Sequence, residues 1–194
     1  MQDAGVKAEY AALVRDAAVG NRAAMERLLV RAQETAYRFS LLVCGHPEDA
    51  EDVMQESLLK TYQHVKRISD PESFRTWLYT TVKNACLMKR RRHAGEPAAF
   101  VSLEDGDGLG GGALAGLADK SLRPDEQVIS NWMEERLRNA LKTLPPSYRM
   151  IVVMREMEGL STKEVAEVAG CSEANVKTRL HRARLMLRRR LAAA

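Results

Sequence analysis

The chain has 194 residues, enough for one domain or two small ones, and 45% of them are hydrophobic, which suffices for ordinary cores. Only 5% are aromatic, which favours aliphatic packing between helices, and the formal net charge of +4 is too small to indicate a nucleic-acid partner by itself. No apolar run approaches the ~20 residues of a membrane helix and no signal-peptide layout begins the chain, so a soluble, cytoplasmic protein without membrane insertion is expected.

The residues that carry site chemistry are sparse. Cys44, Cys86 and Cys171 are odd in number and widely spaced, which predicts buried thiols in a reducing compartment and not a disulfide scaffold. The histidines do not cluster with them at zinc spacing, and neither a phosphate-binding glycine loop nor a nucleophile motif is found in the sequence. The sequence therefore predicts no metal, no cofactor and no catalysis.

Apolar residues at helical spacing dominate the first 93 residues, and no useful length alternates with the period of two that a strand needs. A weak amphipathic helix is predicted over Lys7–Ala18, followed by a long helix over Asn21–Cys44 with Asn21 as its cap. Pro47 suits the first turn of the next helix, and Asp70–Pro71 ends that helix. A further helix over Phe74–Ala85 runs on into a basic segment.

The composition changes between Ala94 and Pro124, where Glu104–Gly108 and Gly110–Gly112 can neither sustain a helix nor bury apolar area. A flexible, acidic linker is predicted at 94–124. A mobile active-site loop is the other interpretation, but no candidate catalytic residues flank the stretch on both sides. Helical spacing returns at Ile129–Leu141 and Met150–Met157. The expected fold is all-α, with two small helical domains at 1–93 and 125–194 joined by the linker.

The last segment, Ser161–Leu191, has the pattern of two short helices around a tight turn. Ser161 and Glu164 fit a capping box, Gly170 supplies the turn, and Ser172 can cap the second helix. In that helix one stripe is apolar (Val176, Leu180, Ala183 and Leu187), and the polar and basic residues fall largely outside it. This pattern is typical of a helix-turn-helix that enters a DNA major groove.

Two basic runs add to this pattern, at Lys89–Arg92 and Arg188–Arg190. Such clusters are typical of phosphate binding. The other interpretation is a solvated helix end, because cations also favour helix C-termini.

Three segments in order, Asp49–Tyr62, Phe74–Ala85 and the helix-turn-helix, give the chain a strong resemblance to the extracytoplasmic-function (group IV) sigma factors of bacterial RNA polymerase. A helix-turn-helix alone is common, whereas the three in this order are specific. The resemblance implies a promoter-specificity subunit whose N-terminal half opens DNA and whose C-terminal half reads the upstream element.

The same resemblance assigns polymerase contacts to one helix. Asp52, Gln55, Glu56 and Leu59 would dock on the clamp helices of the largest subunit of core RNA polymerase. An acidic and aliphatic face suits a basic coiled-coil partner. The other interpretation of this face is solvated surface.

For the −10 element, the resemblance points to the segment from Arg67 to Asn84, which would capture an unstacked base of the melted non-template strand. Extruding a base costs a few kcal/mol, which stacking and edge contacts offset. Asn84 matches the family position that touches this strand. The expected −10 contacts are Arg75, Tyr79, Lys83 and Asn84, with Lys89, Arg90, Arg91 and Arg92 on phosphates; Phe74 and Trp77 are expected in the core.

For the −35 element, bound as duplex, Arg182 occupies the family's principal base-reading position. Lys177, Thr178 and His181 are its expected neighbours, and Arg179 and Arg184 fit phosphate contacts, which position without specifying. Ser172–Asn175 departs from the family's frequent start of this helix. Glu173 there puts a negative charge where DNA approaches, although it can also stabilise the helix N-terminus.

The resemblance also implies an anti-sigma protein as a further partner. The main alternative is a stand-alone helix-turn-helix regulator that binds an operator as a dimer, but no receiver or ligand domain with strands is readable at the N-terminus. An all-helical enzyme or scaffold is disfavoured by the lack of site chemistry.

Overall fold

The computed structural model describes residues 2–44, 46–94 and 136–192, and within them all side chains except those of residues 2–4, 90 and 92–94. This part of the chain contains helices and turns but no strand, and the predicted all-α fold class is confirmed. Apart from Ala94, the predicted linker at 94–124 lies outside the described residues, as does the predicted helix from Ile129 up to residue 135. The helices are α1 (Gln2–Ala18), α2 (Arg22–Cys44), α3 (Pro47–His64), α4 (Phe74–Ala94), α5 (described over 136–142), α6 (Pro146–Val152), α7 (Thr162–Ala169) and α8 (Glu173–Ala192).

Short-range signals set the ends of the N-terminal helices. Gly20 adopts a φ of 94°, and the Asn21 side chain accepts a hydrogen bond from the Ala24 amide at 3.1 Å, which caps α2 as predicted. Pro47 is the first residue of α3, where its missing N–H costs nothing. Asp70 caps the 3-10 turn that leads into α4.

The central helix of the N-terminal half is α2, which packs against α1, α3 and α4. Its buried stripe repeats at helical spacing and includes Ala24, Leu28, Ala32, Ala36 and Phe39. The Phe39 ring meets the Tyr79 ring of α4 edge-on, with centroids 5.0 Å apart. Phe74 is fully buried and Trp77 packs against the same core, so both predicted core positions are confirmed.

The C-terminal helices pack onto this core, with α6 against α2 and α7 against α4. A buried arginine of α6, Arg149, fixes one of these contacts, since its guanidinium donates to the carbonyls of Leu42 (3.2 Å), Lys142 (3.0 Å) and Leu144 (3.1 Å). The buried apolar residues form one continuous cluster from α1 to α8. In this conformation the N- and C-terminal halves therefore share a single hydrophobic core.

The prediction of three reduced thiols is wrong in this structure, because Cys44 and Cys86 form a disulfide between the end of α2 and α4. Their Cα atoms lie 5.2 Å apart, within the range that a disulfide bridges. Sequence spacing could not reveal the pair, since the packing of α2 beside α4 brings together residues 42 positions apart. Cys171 is the free cysteine among the described residues, and burial raises the pKa of its thiol.

Reducing the disulfide is expected to lower the free energy of unfolding by roughly 2–4 kcal/mol, because the cross-link restricts a loop of the unfolded chain. Urea denaturation with and without dithiothreitol measures this difference. The Cys171→Ser variant is the control and should respond to reductant like the wild type. Alkylation of the unreduced, denatured protein should modify one cysteine, and modification of three would contradict the pairing.

Candidate nucleic-acid and polymerase interfaces

The helix-turn-helix predicted from Ser161 is formed by α7 and α8. The Ser161 hydroxyl accepts from the Glu164 amide at 3.2 Å while the Glu164 carboxylate accepts from the Ser161 amide at 2.9 Å, which completes the capping box. Gly170 follows α7 in the left-handed conformation with a φ of 69°, where a side chain would be strained. Ser172 then caps α8, accepting from the Asn175 amide at 3.2 Å. These local predictions are confirmed.

Helix α8 has one buried face and one exposed basic face. Val176, Leu180 and Ala183 are buried, as the apolar stripe predicts. The predicted −35 residues lie around the rest of the helix, with Lys177, Thr178, His181, Arg182 and Arg184 exposed and Arg179 half-buried. Glu173 is exposed in the first turn, where the helix dipole favours its charge.

One of these basic residues already has a partner within the C-terminal half. The Arg184 guanidinium donates to the Glu156 carboxylate at 2.6 Å, and both side chains are about half exposed. An exposed ion pair of this kind is worth ~0–1 kcal/mol, so it leaves Arg184 available to a phosphate.

The predicted −10 residues of α4 are less accessible than those of α8. Arg75 and Tyr79 are buried, Lys83 is half-buried, and Asn84 is exposed. The C-terminal half covers this face of α4: Lys83 donates to the carbonyl of Val168 in the last turn of α7 at 2.7 Å. Burial lowers the pKa of the Lys83 ammonium group.

The predicted phosphate contacts at the end of α4 are only partly visible. Lys89 is half-buried and pairs with the Asp52 carboxylate of α3, and Arg91 is half-buried. Arg90 and Arg92 lie on the helical backbone of α4, but their side chains are outside the described ones. The structure thus joins one predicted DNA contact, Lys89, to one predicted polymerase contact, Asp52.

The predicted polymerase face of α3 is open to solvent. Asp52, Gln55 and Glu56 are exposed, and Leu59 is 57% exposed. Tyr62, one turn further on, is 62% exposed. Within the described residues no helix packs over these side chains, and although Asp52 pairs with Lys89, the acidic and aliphatic face is exposed to solvent.

Sequence reasoning missed the residue that holds the two halves together, Glu158. Its side chain is 3% exposed, and its carboxylate accepts two hydrogen bonds from Arg38 of α2, each 2.8 Å long, and one from the Tyr79 hydroxyl at 2.6 Å. The backbone carbonyl of Glu158 accepts from the Arg75 guanidinium. We call this set of four residues the Glu158 contact.

The ionisation of the Glu158 contact follows from its geometry. Hydrogen bonding to Glu158 raises the pKa of Arg38, which stays protonated. Burial, and then the nearby Glu158 carboxylate, raise the pKa of Tyr79 well above its ordinary value, so its hydroxyl remains a donor. A polar cleft of about 280 Å³ lies beside the contact and is lined in part by Tyr10, Arg31 and Thr35.

Among the described residues, no three His, Cys, Asp or Glu side chains are grouped so as to hold a metal ion. None of the described helices is long and apolar enough to cross a membrane.

Comparison with known proteins identifies both halves of the chain. The profile of Sigma-70 region 2 matches residues 25–96, and that of Sigma-70 region 4 matches residues 134–187. The chain is 29% identical over 178 residues to the ECF RNA polymerase sigma-E factor of Escherichia coli K12, with 89% of this chain and 88% of that protein covered. It is 25% identical over 159 residues to the ECF RNA polymerase sigma factor SigW of Bacillus subtilis, covering 82% and 84%.

Solved structures with the same fold include two complexes. The sigma factor RpoE in complex with the anti-sigma factor NepR from Bartonella quintana superposes with a TM-score of 0.66 at 21% identity, over 86% of this chain and 96% of that one. CnrH in complex with the cytosolic domain of CnrY gives a TM-score of 0.63 at 24% identity, over 95% and 98%. Since region 2 and region 4 occur in this order in a chain that spans most of its relatives, the protein belongs to the extracytoplasmic-function group of the sigma-70 family, the RNA polymerase sigma factors that direct transcription initiation.

Proposed function

We propose that this sigma factor holds core RNA polymerase through the acidic face of α3 and grips a promoter at two points, through α4 and through α8. Residues 1–93 would form the polymerase-docking and −10 domain, residues 125–194 the −35 domain, and residues 94–124 the connector. The observation that carries the proposal is the exposed basic face of α8, whose opposite face is buried in the core. A recognition helix needs this division to enter a major groove.

The acidic face of α3 supports the polymerase part of the proposal. Glu56 pairs only with Lys60 of the same helix in the described contacts (2.6 Å), and Leu59 beside it is exposed. Because charge complementarity steers protein association, a basic partner surface would be attracted to this face and would then bury Leu59. The clamp helices of the largest polymerase subunit are the proposed partner.

In the two solved complexes, the sigma factor RpoE is bound to the anti-sigma factor NepR, and CnrH is bound to the cytosolic domain of CnrY. We propose that the present chain is likewise bound, and thereby inhibited, by an anti-sigma protein. The rival function, a stand-alone operator-binding regulator, is not favoured, because region 2 has no place in such a protein and matches residues 25–96 here.

The purified protein is expected to co-elute with core RNA polymerase and to give run-off transcription from a subset of promoters. Reversing two exposed charges, in the double variant Asp52→Arg/Glu56→Arg, should weaken core binding about tenfold or more, because like charges would then face the partner. Size-exclusion chromatography and a fluorescence titration of core polymerase measure the loss. Glu26→Arg, an exposed reversal on α2, is the matched control and should bind normally. Failure of the wild type to co-elute with core polymerase would overturn the function.

Removing the proposed base-reading side chain, in Arg182→Ala, should weaken a cognate −35 duplex by roughly 5- to 150-fold relative to a scrambled duplex, the equivalent of the ~1–3 kcal/mol that a bidentate Arg–guanine contact contributes. Fluorescence anisotropy with both duplexes provides the measurement. Arg189→Ala changes another exposed arginine of α8 and should lower both affinities by the same small factor. Equal losses on the two duplexes for Arg182→Ala would reduce Arg182 to a phosphate contact.

The Asn84→Ala variant should leave −35 duplex binding intact and lower the yield of open complexes by up to about tenfold, because one hydrogen bond to the melted strand is lost. Permanganate footprinting of the −10 region in the reconstituted holoenzyme measures opening. Gln33→Ala, an exposed amide of α2, is the control and should open DNA like the wild type. An unchanged open-complex yield for Asn84→Ala would refute the role of Asn84.

A further inference from the structure

The Glu158 contact joins two parts of the molecule that are 120 residues apart along the chain. Glu158 follows the π turn of Val153–Met157 in the C-terminal half, whereas Arg38, Arg75 and Tyr79 belong to the N-terminal half. A carboxylate as buried as that of Glu158 must be paired, since an unpaired charge would be expelled from the core. The contact is therefore a specific docking of one half on the other.

The docked carboxylate lies on the α4 face proposed to bind the −10 strand. Arg75 and Tyr79 belong both to the Glu158 contact and to the proposed −10 contacts. The guanidinium carbon of Arg75 also lies over the Tyr79 ring, 5.9 Å from the ring centroid. The Tyr79 hydroxyl donates to the Glu158 carboxylate and the Arg75 guanidinium donates to the Glu158 backbone carbonyl, and both donors are equally suited to the oxygens of a phosphate. Glu158 thus fills an anion site that the melted strand would need.

Further contacts extend the cover along α4. One helical turn beyond Tyr79, the Lys83 ammonium group donates to the carbonyl of Val168 at the C-terminal end of α7, where the helix dipole favours a cation. On the other side, Lys7 of α1 pairs with Glu164 of α7 at 3.5 Å. Of the four proposed −10 contacts that precede the basic run at 89–92, three contact the C-terminal half (Arg75, Tyr79 and Lys83), and Asn84 is exposed.

The closed shape also conflicts with binding both promoter elements at once. The −35 and −10 elements are separated by about 25 base pairs, which is roughly 85 Å of duplex at 3.4 Å per base pair. The described ranges, 2–44, 46–94 and 136–192, would as one compact body have a radius of gyration of only about 15 Å. The α4 and α8 halves must separate before they can reach the two elements.

We propose that the Glu158 contact is an autoinhibitory latch: the chain's own region 4 occupies the anion site of α4, and the latch must open before promoter DNA can enter. This inference rests on the proposed function, because it assigns the covered face of α4 to the −10 strand. The latch needs no partner protein, since every contact of Glu158 described above lies within the chain.

Two variants weaken the latch in different ways and predict an order of effects. Glu158→Gln removes the charge together with its need for a partner, whereas Arg38→Gln leaves a buried carboxylate without its bidentate guanidinium. Arg38→Gln should therefore open the protein more than Glu158→Gln does, and the double variant should resemble Glu158→Gln. Arg38 is not among the proposed DNA contacts, so a gain in DNA binding by Arg38→Gln reflects opening.

The experiment measures the radius of gyration by small-angle X-ray scattering and the affinity for a fluorescent single strand. That strand carries the −10 element of a promoter on which the wild type directs run-off transcription. Arg38→Gln should increase the radius of gyration and tighten strand binding at least about fivefold, within the range of ordinary allosteric couplings. Glu156→Gln, which breaks an exposed ion pair two residues from Glu158, is the control and should change neither.

Circular dichroism first establishes that each variant keeps its helices, and Glu158→Gln serves as the milder variant if Arg38→Gln does not fold. An unchanged radius of gyration and an affinity within twofold of the wild type, for both variants, would overturn the latch. The same holds if Glu156→Gln has an equal effect. Expansion without tighter strand binding would overturn the assignment of α4 to DNA but leave the proposed docking on core polymerase intact, so the two failures can be told apart.

Discussion

The arrangement of the two halves depends on one buried negative charge. Moving the Glu158 carboxylate out of water costs free energy. That cost is offset only in the position where Arg38 and Tyr79 donate hydrogen bonds to the carboxylate. The π turn of Val153–Met157 sets that position. Its hydrogen bonds span five residues where those of an α-helix span four, as in the 2.9 Å bond from the Glu158 amide to the Val153 carbonyl, and this changes the direction in which the chain leaves α6. Local backbone geometry and a long-range ion pair thus fix the same contact.

Opening such a contact exchanges one set of hydrogen bonds for another. Every donor that leaves Glu158 can bind water or a phosphate oxygen, so opening replaces the Glu158 contact by other hydrogen bonds and also exposes part of the apolar core that the halves share. A ligand shifts this balance only by its preference for one form. Core polymerase and promoter DNA, which by our proposal need the halves apart, would draw the protein open in proportion to that preference.

Short-range patterns in the sequence were enough to predict most of the helices and the layout of the DNA-binding end. The capping box at Ser161, the left-handed Gly170 and the buried stripe from Val176 each depend on residues within a few positions of one another. The pairing of Cys44 with Cys86 and of Arg38 with Glu158 depends on which helices pack together, which spacing along the chain does not encode. The family resemblance could therefore nominate Arg75 and Tyr79 as −10 contacts without revealing that a residue of the same chain binds them.

One local signal did point to Glu158. The residue follows the last turn of a helical segment, where the exposed carbonyls carry partial negative charge and an acidic side chain is unfavourable. It is also flanked by Met157 and Gly159, with a fully buried Leu160 next, so the chain returns to the core there. An acid at a helix C-terminus beside a buried leucine requires a cation from elsewhere in the fold. Arg38 meets that requirement, and Arg75 donates to the backbone carbonyl of Glu158 itself. These directional hydrogen bonds define one docking position for the two halves, which apolar packing alone would not do.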